Sequence, residues 1–183
     1  MSDKNRVCVY CGSKTGQNGA FISRTKELGY QLAGNNIGLV YGGGSVGLMN
    51  EIANATLSRG GQVHGVIPQH LYEMEVAHEQ LTALHITDTM HERKAMMAEL
   101  SDAFIALPGG FGTFEELMEA ITWLQLGIHD KRVILFNIDG YYDKLIAFID
   151  EAVQNGFITS DNRDRLKVAD DVEDCLSYLP FHE

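Results

Sequence analysis

Apolar residues gather in five short continuous runs, at 6–10, 37–41, 62–67, 103–107 and 133–138. Runs of this length without alternation predict strands covered on both faces. A weaker run at 166–168 adds a sixth candidate. Between them, apolar positions recur at helical spacing near 20–33, 46–59, 89–100, 114–126 and 141–155, with a short last helix at 172–179. Pro68 and Pro108 each close an apolar run, as expected of a residue that cannot donate to a strand ladder. Alternating strands and helices imply right-handed crossovers. The expected fold is α/β: a single Rossmann-like, doubly wound parallel sheet flanked by helices, with residues 1–183 as one domain. Ligands of such sheets bind outside the carboxyl ends of the strands, so the loops that follow the strands are where chemistry is expected.

Composition narrows the partners. The 183 residues carry 14 Lys and Arg against 25 Asp and Glu, a formal charge of −11. That balance argues against binding a nucleic-acid polymer, which needs a basic footprint, and against a polybasic membrane contact. No apolar stretch approaches the length of a membrane span, and the first ten residues hold no signal-peptide core, so a cytoplasmic protein is expected. Cys8 and Cys11 form a C-x-x-C, but inside the first predicted strand. Three residues apart on a strand puts them on opposite faces, as small buried hydrophobes rather than a redox pair. The seven histidines show no ligand spacing, and no metal or cofactor is expected.

Two glycine-rich loops follow predicted strands. In the first, Gly42, Gly44 and Gly47 satisfy G-x-G-x-x-G. A dinucleotide site would also want an acid at the end of the next strand, which closes instead on Val66-Ile67-Pro68. A backbone cradle for some anion, using Gly43 and Gly44, and a tight turn without a ligand both remain open. The second loop runs Pro108-Gly109-Gly110-Phe111-Gly112-Thr113 into a helix that carries Glu115 and Glu116. Its glycines permit close approach of a ligand to backbone N–H groups. Thr113 and Glu116 also have capping-box spacing. A carboxylate at a helix start is expected to stay ionised, which makes it a poor proton donor at neutral pH.

Before the fourth predicted strand, Met90, Arg93, Lys94 and Met97 share one helical face. A core methionine stripe with snorkelling cations explains the spacing. So does a cation lifted toward the strand ends, where arginine's fork suits a carboxylate or phosphate.

Together, residues 42–49, Met90-His91-Glu92-Arg93-Lys94 and the complete P-G-G-x-G-T-x-x-E of 108–116 resemble the LOG ("Lonely guy") family of cytokinin-activating phosphoribohydrolases. The similarity continues through 101–104, 121–123 and 140–142 and so covers most of the chain. The resemblance implies hydrolysis of the N-glycosidic bond of a nucleoside 5′-monophosphate, giving an adenine-type base and ribose 5-phosphate. It implies Arg93 and Glu116 as the catalytic pair, and Lys94, Gly109, Gly110, Phe111, Gly112, Thr113, Glu115, Glu75 and Thr122 in substrate binding. It also implies a homodimer with the site near the subunit interface. Family members often carry the label lysine decarboxylase, but the sequence shows no evident pyridoxal-phosphate lysine with its partners. A nucleotide or molybdenum-cofactor carrier on the same fold is the alternative. An NAD-linked oxidoreductase would keep only the first glycine loop. An ionised Glu116 would stabilise positive charge on the sugar, and no general acid for the leaving base is evident.

Overall fold

The computed structural model describes residues 5–74 and 77–181. Seven strands, β1 (Arg6–Tyr10), β2 (Gly38–Tyr41), β3 (Val63–Pro68), β4 (Ala83–Thr87), β5 (Ala103–Ala106), β6 (Arg132–Phe136) and β7 (Leu166–Ala169), form one sheet. All neighbours are parallel, in the order β4-β3-β2-β1-β5-β6-β7. The helices are α1 (Gly19–Gly34), α2 (Gly47–Ser58), α3 (Gln69–Tyr72), α4 (Met90–Glu99), α5 (Phe111–Gln125), α6 (Asp143–Gln154), α7 (Ser160–Arg165) and α8 (Val172–Ser177). The chain winds outward from β1 to β4, then returns to lay β5 on the other side of β1. The loops after β1 and β5 therefore leave in opposite directions and open a crevice at this switch point.

The two-residue period of the strands builds two cores. Val7, Val9, Leu39, Tyr41 and Ile105 face α1, α2 and α8. Cys8, Tyr10, Val40, Phe104 and Ala106 face the other way, against α4, α5 and α6. Cys8 and Cys11 fall on opposite sides, buried and unbridged. Among the described residues no helix is long and apolar enough to cross a membrane.

Several elements depart from the sequence expectation, among them the short helices α3 and α7, where no helix was expected. The edge strand β4 was not anticipated. It is mostly half-buried, and His85 and Thr87 interrupt the apolar run that marks an inner strand. β6 stops at Phe136 instead of continuing to 138, because the chain turns at Asn137 once its N–H has donated to Ala169 O at 2.8 Å. The Asn137 side-chain amide donates to Asp143 Oδ1 at 2.8 Å, and its side-chain oxygen accepts from Tyr142 N at 2.7 Å. Most consequential, α5 begins at Phe111, three residues before the expected start at 114.

Candidate active site

The β1 and β5 loops are tied together where the crevice opens: Gly12 N donates to Pro108 O at 3.1 Å. Between them lies a cleft of about 220 Å³. Tyr10, Cys11, Gly12 and Ser13 line one side, Gly42 and Arg93 another, and Gly110, Phe111, Gly112, Thr113 and Glu116 a third.

The early start of α5 decides what the second glycine loop does. Gly110 is the N-cap, and no side chain caps the helix. The caps of α1, α4, α7 and α8 are side chains of Asn18, Thr89, Thr159 and Asp171. At α5 the N–H groups of Phe111, Gly112 and Thr113 have no acceptor within the helix and carry the positive end of its dipole. The loop's carbonyls are held from behind. Tyr142 Oη donates to Leu107 O at 2.6 Å, Gly12 N to Pro108 O, and Tyr141 Oη to Gly109 O at 2.5 Å. In a trans peptide the adjoining N–H points the opposite way. Thr113 is the third helical residue, buried with its hydroxyl packed against Gly109. The capping box expected of Thr113 and Glu116 is therefore absent. One forms instead on α4, where the Thr89 side chain accepts from Glu92 N and the Glu92 carboxylate accepts from Thr89 N.

Arg93 reaches the cleft from α4. Its Nε donates to Val66 O at 3.1 Å and its Nη2 to Gly42 O at 3.0 Å. The guanidinium thus crosses the ends of two strands and is buried. A Cβ at position 42 would collide with Nη2, so the close approach requires glycine there. The methionine-stripe account covers only part of this face. Met97 is core, while Arg93 is drawn to strand-end carbonyls.

Glu116 is the sixth residue of α5, beyond the first turn where the dipole acts strongly. Burial pushes its carboxyl up to about 7, with Arg93 pulling downward and Glu115 pushing upward. The expectation of an ionised, poorly donating carboxylate is thereby corrected. Desolvation outweighs the dipole, and Glu116 populates both protonation states near neutral pH.

Lys94 lies next to Arg93 but reaches Glu115 and Glu119. Its Nζ donates to Glu115 at 2.5 Å and to Glu119 at 2.8 Å. Burial works to lower its ammonium, and the two carboxylates outweigh it, so it is raised overall. Lys94 and Glu115, both expected to contact substrate, are thus paired with each other. Glu119 escaped sequence reasoning, although its spacing of one turn from Glu115 marks it as a second anion on the same helix face.

The remaining expected residues divide. Gly109, Gly110, Phe111 and Gly112 stand at the crevice, with Phe111 92% exposed. Gly43 and Gly44 turn away. Gly43 sits against Ile67 and accepts from His78 N, and Gly44 bridges to Ala77. Thr122 is exposed further along α5, its hydroxyl donating to Met118 O at 2.7 Å. Glu75 lies outside the described residues. Gly12 and Ser13 line the cleft yet were missed. The signal was a turn-forming Cys11-Gly12-Ser13-Lys14-Thr15-Gly16 directly after the first buried strand.

The chain is similar to known proteins. The sequence model of a family described as possible lysine decarboxylase matches residues 49–179. The cytokinin riboside 5′-monophosphate phosphoribohydrolase LOG1 of Arabidopsis thaliana is 48% identical, over 97% of this chain and 85% of the relative. The probable cytokinin riboside 5′-monophosphate phosphoribohydrolase LOGL9 of Oryza sativa subsp. japonica is 52% identical, over 95% of this chain and 77% of the relative. Among solved structures, the molybdenum cofactor binding protein of Rippkaea orientalis superposes with a TM-score of 0.73 at 21% identity, over 97% of this chain and 96% of the other. The molybdenum cofactor carrier protein of Chlamydomonas reinhardtii gives 0.72 at 22% identity, over 95% and 94%. At that identity the likeness is one of fold.

Proposed function

The chain belongs to the LOG family of cytokinin riboside 5′-monophosphate phosphoribohydrolases, and on that premise we propose that it hydrolyses the N-glycosidic bond of an adenosine 5′-monophosphate, N6-substituted or plain, to a free base and ribose 5-phosphate. One observation carries this choice of chemistry. A carboxyl held at about 7 faces the same cleft as a buried guanidinium and an uncapped helix start.

The 5′-phosphate docks on the free N–H groups of Phe111, Gly112 and Thr113, and the ribose then lies over Glu116. Binding energy at the phosphate holds the sugar for reaction. When the C1′–N bond breaks, its electron pair leaves with the base and positive charge develops on the sugar. Protonated Glu116 gives its proton to the base. The carboxylate so formed stabilises the cationic sugar, then takes a proton from the water that bonds to C1′. This supplies the general acid that sequence alone did not reveal. Arg93, fixed by two carbonyls, keeps the carboxyl from rising further and orients it.

Incubation with adenosine monophosphate tests this directly. Release of adenine, followed by chromatography, is expected. A folded protein that returns the nucleotide intact is a carrier, and the proposal then fails.

We place the enzyme in the cytoplasm as a homodimer. Phe111, Met118 and Leu126 leave apolar surface exposed along α5. Glu115 and Thr122, seven residues apart, lie about 10 Å from each other along the same helix face. Thr122 stands outside the cleft, so a role for it requires a second copy bringing its own cleft alongside. Light scattering is expected to give twice the chain's 20.3 kDa. A monomer would remove Thr122 from the site.

A further inference from the structure

An anionic substrate must enter a protein of charge −11, and the two cations assigned to the site are both engaged. Arg93 is buried with Nε and Nη2 on carbonyls. Lys94 is buried between Glu115 and Glu119. A third cation stands at the rim. Lys14 is exposed, and among the described residues its ammonium has no hydrogen-bond or ion-pair partner. It lines a chamber of about 350 Å³ together with Ser13, Gly109, Gly110 and Tyr141. The chamber and the catalytic cleft share Gly12, Ser13 and Gly110 in their walls, so the two adjoin at the start of α5.

The backbone that carries Lys14 is fixed on two sides. Gly12 N donates to Pro108 O at 3.1 Å, and Leu48 N donates to Gly12 O at 3.0 Å. Gly47 takes φ +58 and presses on Ser13 and Lys14, where any Cβ would collide with the Lys14 backbone N. The side chain swings from a rigid base beside the free N–H groups of α5. We propose that Lys14 captures the substrate's 5′-phosphate, holding it from the chamber side while the α5 N–H groups hold it from the cleft side. This rests on the phosphoribohydrolase reading above and adds a residue to it.

The α5 N–H groups fix the sugar for reaction, whereas Lys14, on a long stem at the rim, adds binding that is the same in ground and transition states, so it acts on KM and leaves kcat alone. Lys14→Gln is expected to raise KM for adenosine monophosphate about tenfold, the usual worth of a hydrogen bond to a charged group. Any residual turnover of adenosine, which lacks the phosphate, should not change. Lys14→Arg should restore most of the affinity. Arg132→Ala, an exposed cation at the opposite end of the sheet, should leave KM as it is and so control for bulk charge. Inorganic phosphate provides a readout independent of turnover. Calorimetry should show it binding the unaltered protein and binding Lys14→Gln about tenfold more weakly.

The outcomes separate the two claims. Turnover of adenosine monophosphate with the same KM in Lys14→Gln overturns the role of Lys14 and spares the activity. No turnover, but phosphate binding that depends on Lys14, overturns the activity and spares the anion site. Phosphate binding unaffected by the substitution removes the site.

Discussion

Two glycine-rich loops leave this sheet after β2 and β5, and as sequences they are nearly equivalent. Both end a fully buried strand and both lead into a helix with no side-chain cap. Their surroundings set them apart. The first is filled by protein. Arg93 occupies the space at Gly42, the Ser13–Lys14 backbone presses on Gly47, Gly12 O accepts from Leu48 N, and Ala77 pairs with Gly44. The second is left open. Gly110 and Gly112 have nothing within 4 Å of where a Cβ would stand, and the loop's carbonyls are satisfied from behind. A glycine pattern thus marks close approach without saying what approaches. In the first loop, and at Gly109, it is another part of the chain; at Gly110 and Gly112 the space is open to the phosphate we propose.

The largest test of that contrast is the group aimed at the open loop. Glu116→Gln keeps the shape and removes both the proton and the charge. Turnover of adenosine monophosphate should fall by on the order of 10²-fold or more, the range for losing one central electrostatic group. Stability should move the other way. Because the folded carboxyl sits at about 7, above its ordinary 4.5, the folded state binds more protons than the unfolded one between those values. Stability therefore falls as pH rises through that window and stays low above it. Glu116→Gln should abolish the fall and be about 2–3 kcal/mol more stable at pH 8.5, with little difference at pH 4.5. Denaturant melts at the two pH values check it. Parallel pH curves for the two proteins would put the carboxyl at an ordinary value and withdraw it as the acid.

Gly42→Ala probes the filled loop. The added methyl meets the Arg93 guanidinium, which is held on Gly42 O and Val66 O, and the Met49 sulfur. Overpacking of this kind typically destabilises by about 1–3 kcal/mol, readable as a lower urea midpoint. An unchanged midpoint would show that Arg93 moves freely, and the contrast between the loops would collapse.

How far all this was legible depends on what each feature rests upon. The inner strands announced themselves, since Val7 to Tyr10 and Phe104 to Ala106 must be apolar on both faces. β4 did not, because an edge strand shows water one face and tolerates His85. Thr89–Glu92 and Thr113–Glu116 fit the same capping pattern. Only the position of Gly110, which starts α5 early, distinguishes them. The protonation state of Glu116 was beyond reach of local sequence. It is set by desolvation in a crevice whose walls come from β1, α4 and α5. Lys94 read as a ligand because its partners Glu115 and Glu119 lie more than 20 residues away.

Gly112→Ala probes the open loop and should reverse the sign seen at Gly42. The methyl meets nothing, and alanine in place of glycine in a helix gains about 0.4–1 kcal/mol. The same methyl crowds the N–H groups proposed for phosphate, so KM for adenosine monophosphate should rise by roughly tenfold, as for one lost charged hydrogen bond. A stabilised variant with unaltered KM would move the phosphate away from α5.

The smallest effect concerns the pair flanking Glu116. Glu119 accepts from Lys94 and adds a weak upward push to Glu116. Glu119→Gln removes one negative charge and leaves Lys94 less fully neutralised. Both changes favour the ionised form of Glu116, so its pKa moves down. The descending alkaline limb of the kcat profile reports loss of the proton from Glu116. It should shift to lower pH by a few tenths of a unit, about 0.5 kcal/mol. A structural role for Glu119 alone would lower activity equally at every pH and leave the limb in place. A shift to higher pH would mean that the freed ammonium turns away from Glu116, and that Lys94 serves Glu115 alone.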